Sequence, residues 1–523
     1  MLRELYEQLT SDREGFLEQA RLQSELTIPS LIPPDFGSSN HKGLYKPFQS
    51  LGAQGTNAIT NKLVGALYPA TEPFFKFTVN SSSEEMQDVP DEALASIDAR
   101  LSALEQTILG EFVKRGDRAA ITLAVKHLVV GGNALLKVQE ETTTVYSLNK
   151  FVAVRDGSGK LLRVITKDTL SYEMFKEMFP SMTSIHAAHR GNRSYDPKTI
   201  DVFSEMCRKQ GEWKVQEEAA GIIITDSTQR HPIDKPPFLA LRFERIDGES
   251  YGRGYVENLY GDLSSLESLC QAMVEGSAIN ARVLFLVNPN GLTSQRIFEE
   301  APNGGVIPGL EGDIGTAKVN KQADLSVTAS QIERLEARLE KSFMLVSAVQ
   351  RNAERVTATE INMLAEEIET TLGGVYSVLS EEFQRPFVTR LISVLKKAGK
   401  IPDLPEGVLD ISIVTGTAGI GRGIDKERMV TFLQTLSQAL GQDTIKEYVS
   451  ISSAIGRLAA SFGINVQGLI KTPEEMAQEQ QAAQEQQMAE TLGPQAIQAA
   501  GQVTAQQMKT GEPNDTQEQA PIQ

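Results

Sequence analysis

The spacing of apolar residues divides the chain into a mixed first half and a mainly helical second half. In the first half, apolar positions three to four residues apart predict helices, and alternating apolar positions predict strands. The predicted helices cover about 1–26, 48–67, 90–115 and 117–130, and the predicted strand regions cover 74–79, 144–170 and 199–244. Because these strands do not alternate regularly with helices, the pattern favours an α+β, mainly α, fold.

One turn signal in the first half is specific. Asp156-Gly157-Ser158-Gly159 separates two β-branched runs, VYSLNKFVAVR and KLLRVIT. Asp and Gly at such a position favour a tight turn between antiparallel strands, so a β-hairpin is expected there.

The second half begins with a long amphipathic helix over 255–283. At 1.5 Å per residue it would be roughly 40 Å long. Its apolar residues repeat at three-four spacing, which is typical of a coiled-coil-like seam. The predicted seam consists of Val256, Leu259, Leu263, Leu266, Cys270 and Met273.

A Gly/Pro-rich, strand-prone stretch, 284–327, separates this helix from a second one over 328–346. The second helix carries Ile332, Leu335, Leu339 and Phe343 on one stripe. The pattern therefore predicts two helices joined by a compact insert.

A third long helix is expected from Thr357, where Thr357 and Glu360 fit a capping box. Gly373 and Gly374 lie in its middle. Because a glycine costs a helix interior roughly 1 kcal/mol relative to alanine, a bend is expected there. Beyond 471 the chain is rich in Gln, Ala and Glu, so 471–523 is expected to be partly helical at best and disordered past about 490.

Composition narrows the functional classes. The formal net charge is −17 at pH 7, which argues against a protein that coats DNA with a broad basic face. The chain has no run of eighteen apolar residues, so no membrane partner is expected, and its start lacks the apolar stretch of a secretory signal. Cys207 and Cys270 stand far apart and are expected to be reduced thiols.

The glycine-rich stretch VTGTAGIGRG, 414–423, follows a β-branched run and precedes a helical pattern. That order is typical of a phosphate-binding loop. However, Ile424 stands where a dinucleotide fingerprint needs its last glycine, and Arg422-Gly423 is not the Lys-Ser/Thr pair of a P-loop. A tight loop or helix entrance is therefore favoured over a nucleotide site.

The sequence shows neither a complete metal site nor a nucleophile motif. His186 and His189 have helical spacing, but a zinc site needs further ligands and none cluster nearby. The remaining histidines stand alone, and no G-x-S-x-G motif is present. The sequence therefore predicts no catalytic residues, no metal and no cofactor.

Arg351 and Arg355 bracket the segment between the second and third helices. From spacing alone, the favoured interpretation is surface pairing with Glu354 or Glu360.

Several stretches together resemble the portal, or head-to-tail connector, proteins of short-tailed phages. They include YKPFQSLGAQGTNAITNKLVGALYP, HLVVGGNALLKV, RIDGESYGRGYVENLYGDLSSLESL, the segment from KQADLSVTASQIERLEARLEKS through RNAERVTATEI, LGGVYSVLSEEFQRPFVTRLI and TGTAGIGRG. The resemblance runs in order from about residue 1 to about 470.

This resemblance implies a subdivision of the chain. The wing would comprise 1–254, two stem helices would lie at 255–283 and 328–346, and the clip would lie between them at 284–327. The further parts would be a tunnel loop at 347–356, a bent tunnel helix and wing return at 357–410, a crown at 411–470 and a C-terminal tail or barrel helix at 471–523. Arg351 and Arg355 would then be candidates for contact with the DNA backbone.

The resemblance also implies a function without chemistry. Members form a ring, of twelve copies, with a central channel at one capsid vertex. The ring nucleates head assembly with capsid and scaffolding proteins, docks terminase, passes double-stranded DNA, and later carries the tail adaptor and internal core proteins. It would be made in the host cytoplasm and reside in the virion. The alternatives left open are another ring-forming head–tail adaptor and, less favoured, a nucleotide-binding packaging enzyme.

Overall fold

The computed structural model describes about two thirds of the chain. The described residues are 1–34, 43–69, 73–79, 91–182, 199–224, 227–280, 284–291, 294–302, 306–308, 310–317, 322–345, 374–402, 409–413 and 435. About half of them are helical and the others include thirteen strands. The predicted mixture of helices and strands is therefore confirmed.

The chain divides into two compact units. The first comprises Met1–Pro90 and Arg100–Leu433, and the second comprises Asp91–Ala99 and Gln434–Gln523. Nearly all described residues belong to the first unit, which is the subject of the following sections.

The helices match the apolar periodicity closely. They are α1 (Leu2–Glu25), α2 (Leu51–Leu67), α3 (Asp91–Lys114), α4 (Asp117–Gly131), α5 (Tyr172–Met178), α6 (Tyr255–Asn280), α7 (Gln295–Glu300), α8 (Gln322–Ser342), α9 (Val375–Leu379) and α10 (Arg385–Lys397). Some boundaries differ: α8 runs from Gln322 to Ser342 rather than over 328–346, and α2 begins at Leu51 rather than at 48. A π-helical turn, Ser380–Gln384, joins α9 to α10.

The strands form four sheets in which every described pair is antiparallel. The strands are β1 (Phe75–Val79), β2 (Asn133–Val138), β3 (Thr143–Tyr146), β4 (Phe151–Arg155), β5 (Leu161–Ser171), β6 (Thr199–Lys209), β7 (Glu212–Ala219), β8 (Ile222–Ile223), β9 (Gln229–Pro232), β10 (Phe238–Arg242), β11 (Leu284–Val287), β12 (Ile314–Ala317) and β13 (Leu409–Ile413). The largest sheet has the order β4-β5-β6-β7-β8, with β9 also on β7.

The hairpin predicted at Asp156 is confirmed. β4 pairs with β5, and the Asp156 carboxylate accepts hydrogen bonds from the backbone N–H groups of Ser158 and Lys160 at 3.0 and 2.8 Å. Gly159 has φ +80°, a backbone conformation that favours glycine. The turn is therefore fixed by its own residues.

The main apolar core lies where α1, the large sheet and the three-stranded sheet β10-β2-β3 meet. Buried members include Leu17, Ala20, Leu135, Tyr146, Phe151, Met206, Trp213 and Phe238. An aromatic cluster lies where α2, α3 and α10 meet, and its rings are those of Tyr68, Phe74, Phe112, Phe383 and Phe387. These two clusters make the body from which α6 and α8 extend.

His127 on α4 makes stability depend on pH. Its side chain is 4% exposed, and burial lowers its pKa to about 4. The unfolded chain binds a proton near pH 6.5 and the folded chain does not, so stability should fall as pH drops from about 6.5 to about 4. At pH 5 the loss from His127 is about 2 kcal/mol.

Thermal unfolding at pH 7 and pH 5 measures this effect. The His127→Leu variant should lose less stability between the two pH values than the unchanged chain. His231, whose pKa is also lowered to about 4 by burial and by the nearby charges of Arg390 and Lys397, would still contribute. An identical pH dependence in the variant and the unchanged chain would contradict the role given to His127.

Candidate functional site

The candidate functional site is the helix pair α6 and α8, together with the insert that joins their far ends. With 26 and 21 residues, the helices are about 39 and 32 Å long. The pair runs antiparallel, and the following contacts show how the body holds it.

The start of α6 packs closely against the end of α4. Gly132, with φ +71°, ends α4 in the left-handed conformation. A methyl group at Gly254 would lie 2.4 Å from the Val130 carbonyl oxygen, and one at Gly252 would lie 2.7 Å from Cβ of Arg242. The two backbones therefore pack at a distance that only glycine permits.

Asn133, at the start of β2, binds this junction. It is 3% exposed. Its Nδ2 donates to the carbonyl oxygens of Gly131 and Gly252 at 3.0 and 2.8 Å, and its Oδ1 accepts from the Gly252 N–H at 2.8 Å. A buried amide with three such partners fixes the entrance of α6 relative to the sheet.

Glu267 holds a second point of α6. This carboxylate is 5% exposed and accepts the backbone N–H groups of Phe48 and Gln49 at 2.9 and 3.3 Å, just before α2. It also accepts the Tyr45 hydroxyl at 2.8 Å, and this hydrogen bond is the main cause that raises the pKa of Tyr45 to about 12. We call residues 43–50 the arm, since Glu267 binds them along the side of α6.

Replacing Glu267 by alanine should release the arm. The buried N–H of Gln49 and the partly buried N–H of Phe48 would lose their acceptor, and an unsatisfied buried group costs about 1–3 kcal/mol. We therefore expect a loss of about 2–4 kcal/mol in the free energy of unfolding, and faster amide hydrogen exchange over 44–50. Glu275→Ala is the matched control, because Glu275 lies exposed on the same helix with Gln271 as its hydrogen-bond partner. Equal effects of the two changes would contradict this role of Glu267.

Three contacts join α8 to α6 along its length. The Tyr255 hydroxyl donates to the Ser342 carbonyl oxygen at 2.7 Å. Farther along, Arg338 pairs with Asp262, and the side chain of Leu325 lies 3.3 Å from the position of a Cβ on Gly276. The end of α8 is also seated on α2, where a methyl group at Gly55 would overlap the Phe343 ring at 2.3 Å.

The predicted seam residues lie on α6 at different depths. Val256, Leu263 and Leu266 are fully buried, whereas Leu259, Cys270 and Met273 are half-buried. Burial is thus concentrated in the half of α6 nearest the body.

Several predicted positions lie outside the described residues. These are Arg351, Arg355, Gly373, His186, His189 and the glycine-rich stretch 414–423. Gly374 is described, has φ +64°, and immediately precedes α9. The predicted bend at the glycine pair remains a prediction because the preceding residues lie outside the described range.

The insert at the far end of the pair presents apolar side chains to solvent. β11 and β12 form a two-stranded antiparallel ladder, and α7 lies between them in sequence. Leu286, Ile297, Val306 and Leu310 are 45% to 100% exposed. Exposed apolar side chains in one short insert make it a candidate contact surface.

Sequence reasoning missed a partly buried ion pair between β10 and the π-helical turn. Arg242, at the end of β10, is 1% exposed and its Nη2 lies 3.0 Å from Oε1 of Glu382 in the π-helical turn. Arg155 lies close by, and burial, with repulsion from Arg242, lowers its pKa to about 10. Because the partners are 140 residues apart in sequence, no local pattern could have revealed the pair.

A charged cleft of about 460 Å³ lies apart from the helix pair, between the ends of α3 and α10. Glu111 in it binds Lys400 at 2.7 Å and Lys114 at 2.9 Å, and these hydrogen bonds, that of Lys400 first, lower the pKa of Glu111. The two lysines of the cleft thus pair with the Glu111 carboxylate. Among the described residues, no cluster of three metal-ligating side chains occurs, and no described helix is long and apolar enough to cross a bilayer.

Comparison with known proteins identifies the family of this chain. The model of a family described as bacteriophage head to tail connecting protein matches residues 1–470. The portal protein of Enterobacteria phage T3 is 37% identical over 482 residues, covering 90% of this chain and 88% of the T3 protein. That of Escherichia phage T7 is 36% identical, covering 92% and 90%, and that of Enterobacteria phage SP6 is 30% identical, covering 97% of both chains. The chain belongs to the family of bacteriophage head-to-tail connecting proteins.

Proposed function

We propose that this chain is the portal subunit of a short-tailed phage, forming the ring at one capsid vertex through which viral DNA enters and leaves. The observation that carries the proposal is the likeness to portal proteins over nearly their whole length, 88% to 97%. A head–tail adaptor, which is usually much shorter, would not be expected to match over that span.

The ring would be built from about twelve copies packed side by side around the channel. Heterologous, head-to-tail interfaces close into rings when the rotation between copies is right. A long helix pair rooted at Asn133, Gly254 and Glu267 supports this proposal, because it gives each copy a rigid wall segment. The portal ring would assemble with capsid and scaffolding proteins in the host cytoplasm and remain in the virion.

The insert 284–327 would be the clip, which meets terminase during packaging and the tail adaptor afterwards. Its exposed apolar residues, such as Leu286 and Val306, support a surface that is covered by another protein. The internal core proteins would meet the opposite end of the ring, built by 411–470.

The net charge of −17 suits a channel that lets DNA slide. A wall that neutralised many phosphates would hold DNA through counterion release. In this proposal the segment 347–356 forms the tunnel loop, and Arg351 and Arg355 make the few contacts with the DNA backbone there.

Reversing both loop charges tests these two residues. Arg351→Glu combined with Arg355→Glu should leave ring assembly intact but lower the amount of DNA packaged or retained, because acidic side chains repel phosphates. The double Lys variant keeps both positive charges and should package normally. Normal packaging and retention in the double Glu variant would remove the two arginines from the mechanism.

The function itself is tested by removing the gene from the phage that encodes it. Heads made without this chain should contain no DNA, and supplying the intact chain in trans should restore DNA-filled heads. DNA-filled heads in the absence of the chain would overturn the proposal.

A further inference from the structure

One face of α8 carries exposed side chains that point away from α6. Val327, which is 63% exposed, is followed at seven-residue intervals by the exposed residues Arg334 and Lys341. At about 100° per residue, they lie roughly 140° around the helix from Leu339, which is fully buried. Neither Arg334 nor Lys341 forms an ion pair with another described residue. We call Val327, Arg334 and Lys341 the α8 stripe.

The side of α6 that binds the arm presents a different surface. Tyr45 and Phe48 of the arm are 43% and 45% exposed although Glu267 holds their backbone and hydroxyl groups. Val274 lies seven residues beyond Glu267, hence on the same side of α6, and is 54% exposed. We call Tyr45, Phe48 and Val274 the α6 flank.

The two surfaces match in height along the helix pair. The helices are antiparallel and rise equally per residue. Counting residues from the contacts between them therefore shows which residue of α6 lies at the same height along the pair as a given residue of α8. Interpolation places Arg334 about level with Glu267, and therefore with the arm, and Val327 about level with Val274. The contacts used are Tyr255 with Ser342, Asp262 with Arg338, and Gly276 with Leu325.

The two surfaces also lie on opposite sides of the pair. The α8 stripe is on the side of the Arg338–Asp262 ion pair, whereas the α6 flank is on the side of the arm, as the helical positions require. A rotation about an axis parallel to the pair keeps every residue at its height. If the axis of the proposed ring runs parallel to the pair, neighbouring copies bring an α8 stripe to an α6 flank with matching levels.

We propose that the α8 stripe of one copy docks on the α6 flank of the next copy, an inference that rests on the proposed ring. Arg334 lies over the rings of Tyr45 and Phe48, and Val327 packs on Val274. The chemistry fits at both levels: a guanidinium with no acidic partner among the described residues meets aromatic faces, and two exposed valines remove each other from water.

Cysteine cross-linking tests the valine contact. The chain carrying Val274→Cys and Val327→Cys should give, on mild oxidation, a ladder of covalent multimers on a denaturing gel. Three controls should give none: each single variant, and Val327→Cys with Ser265→Cys. Ser265 is exposed on the opposite face of α6 from Val274, and the single variants account for Cys207 and Cys270.

The arginine contact has its own measurement. Arg334→Ala should raise the protein concentration needed for half-maximal ring assembly by about fivefold, and Arg334→Lys should raise it less. The effect of Arg334→Ala should vanish when Tyr45 and Phe48 are already alanine, because the guanidinium then has no aromatic ring to contact.

The outcomes separate this contact from the ring itself. Two results would overturn the contact while leaving the proposed function intact. One is oligomeric rings that give no ladder of cross-linked multimers, and the other is an effect of Arg334→Ala on assembly that persists when Tyr45 and Phe48 are alanine. An unchanged chain that forms no rings would overturn both.

Discussion

Replacing Gly254 by alanine should leave little folded protein. The added methyl group would lie 2.4 Å from the Val130 carbonyl oxygen and 2.9 Å from the Gly132 nitrogen, and these are backbone atoms that cannot rotate away. Overpacking a well-packed interior costs roughly 1–3 kcal/mol and more where backbone must shift, so we expect a loss of about 3 kcal/mol or more in the free energy of unfolding. Soluble yield and thermal unfolding measure it.

Gly261→Ala is the matched control for Gly254. Gly261 lies on α6, which begins directly after Gly254, and apart from the backbone of its own helix no atom lies within 4 Å of the position of its Cβ. Alanine there should be neutral or stabilise by up to about 1 kcal/mol, because it is the better helix former. If the two variants were equally stable, the close packing of α6 on α4 would be wrong.

Replacing Asn133 by alanine should have the second large effect. The change would leave the Gly252 N–H and the carbonyl oxygens of Gly252 and Gly131 without their buried partner. At about 1–3 kcal/mol for each group left unsatisfied, the expected loss is about 3 kcal/mol or more. Chemical denaturation gives the total, and hydrogen exchange at the Gly252 amide reports the local opening of the α6 entrance.

Asn258→Ala controls for the loss of an amide side chain, since Asn258 lies exposed on α6. It should change stability by no more than about 0.5 kcal/mol. If the Gly252 amide exchanged its hydrogen as slowly in the Asn133→Ala variant as in the unchanged chain, Asn133 would not be the residue that holds the start of α6 against the end of α4.

Local patterns in the sequence were enough to find most helices and the Asp156 hairpin. In both cases the signal lies within a few residues: apolar spacing for α1 and α6, and Asp-Gly turn chemistry for the hairpin. The start of α8 was placed at 328 because the apolar stripe becomes regular only from Ile332. The structure begins the helix at Gln322, where Leu325 packs beside Gly276 of α6.

The contacts that position the helix pair could not be predicted in this way. Glu267 reaches a backbone group 219 residues away, and Asn133 reaches one 119 residues away. Periodicity describes one helix or strand at a time and carries no information about such partners. A buried Glu and a buried Asn look in sequence like ordinary polar positions, and only the fold gives them their role.

The function was inferred neither from local patterns nor from contacts, but from the likeness to a family. The periodic pattern predicted two helices and an insert but favoured surface pairing for Arg351 and Arg355, and for the glycine-rich stretch 414–423 it favoured a tight loop over a nucleotide site. The family model matches residues 1–470 and therefore includes that stretch. Its glycines are then expected to allow a sharp turn between two packed layers.

Electron microscopy of the purified full chain tests the central claim most directly. We expect closed rings of about twelve copies with a central channel, in which each copy contributes one α6–α8 pair to the wall. Monomers at high protein concentration, or closed particles without a channel, would contradict the account.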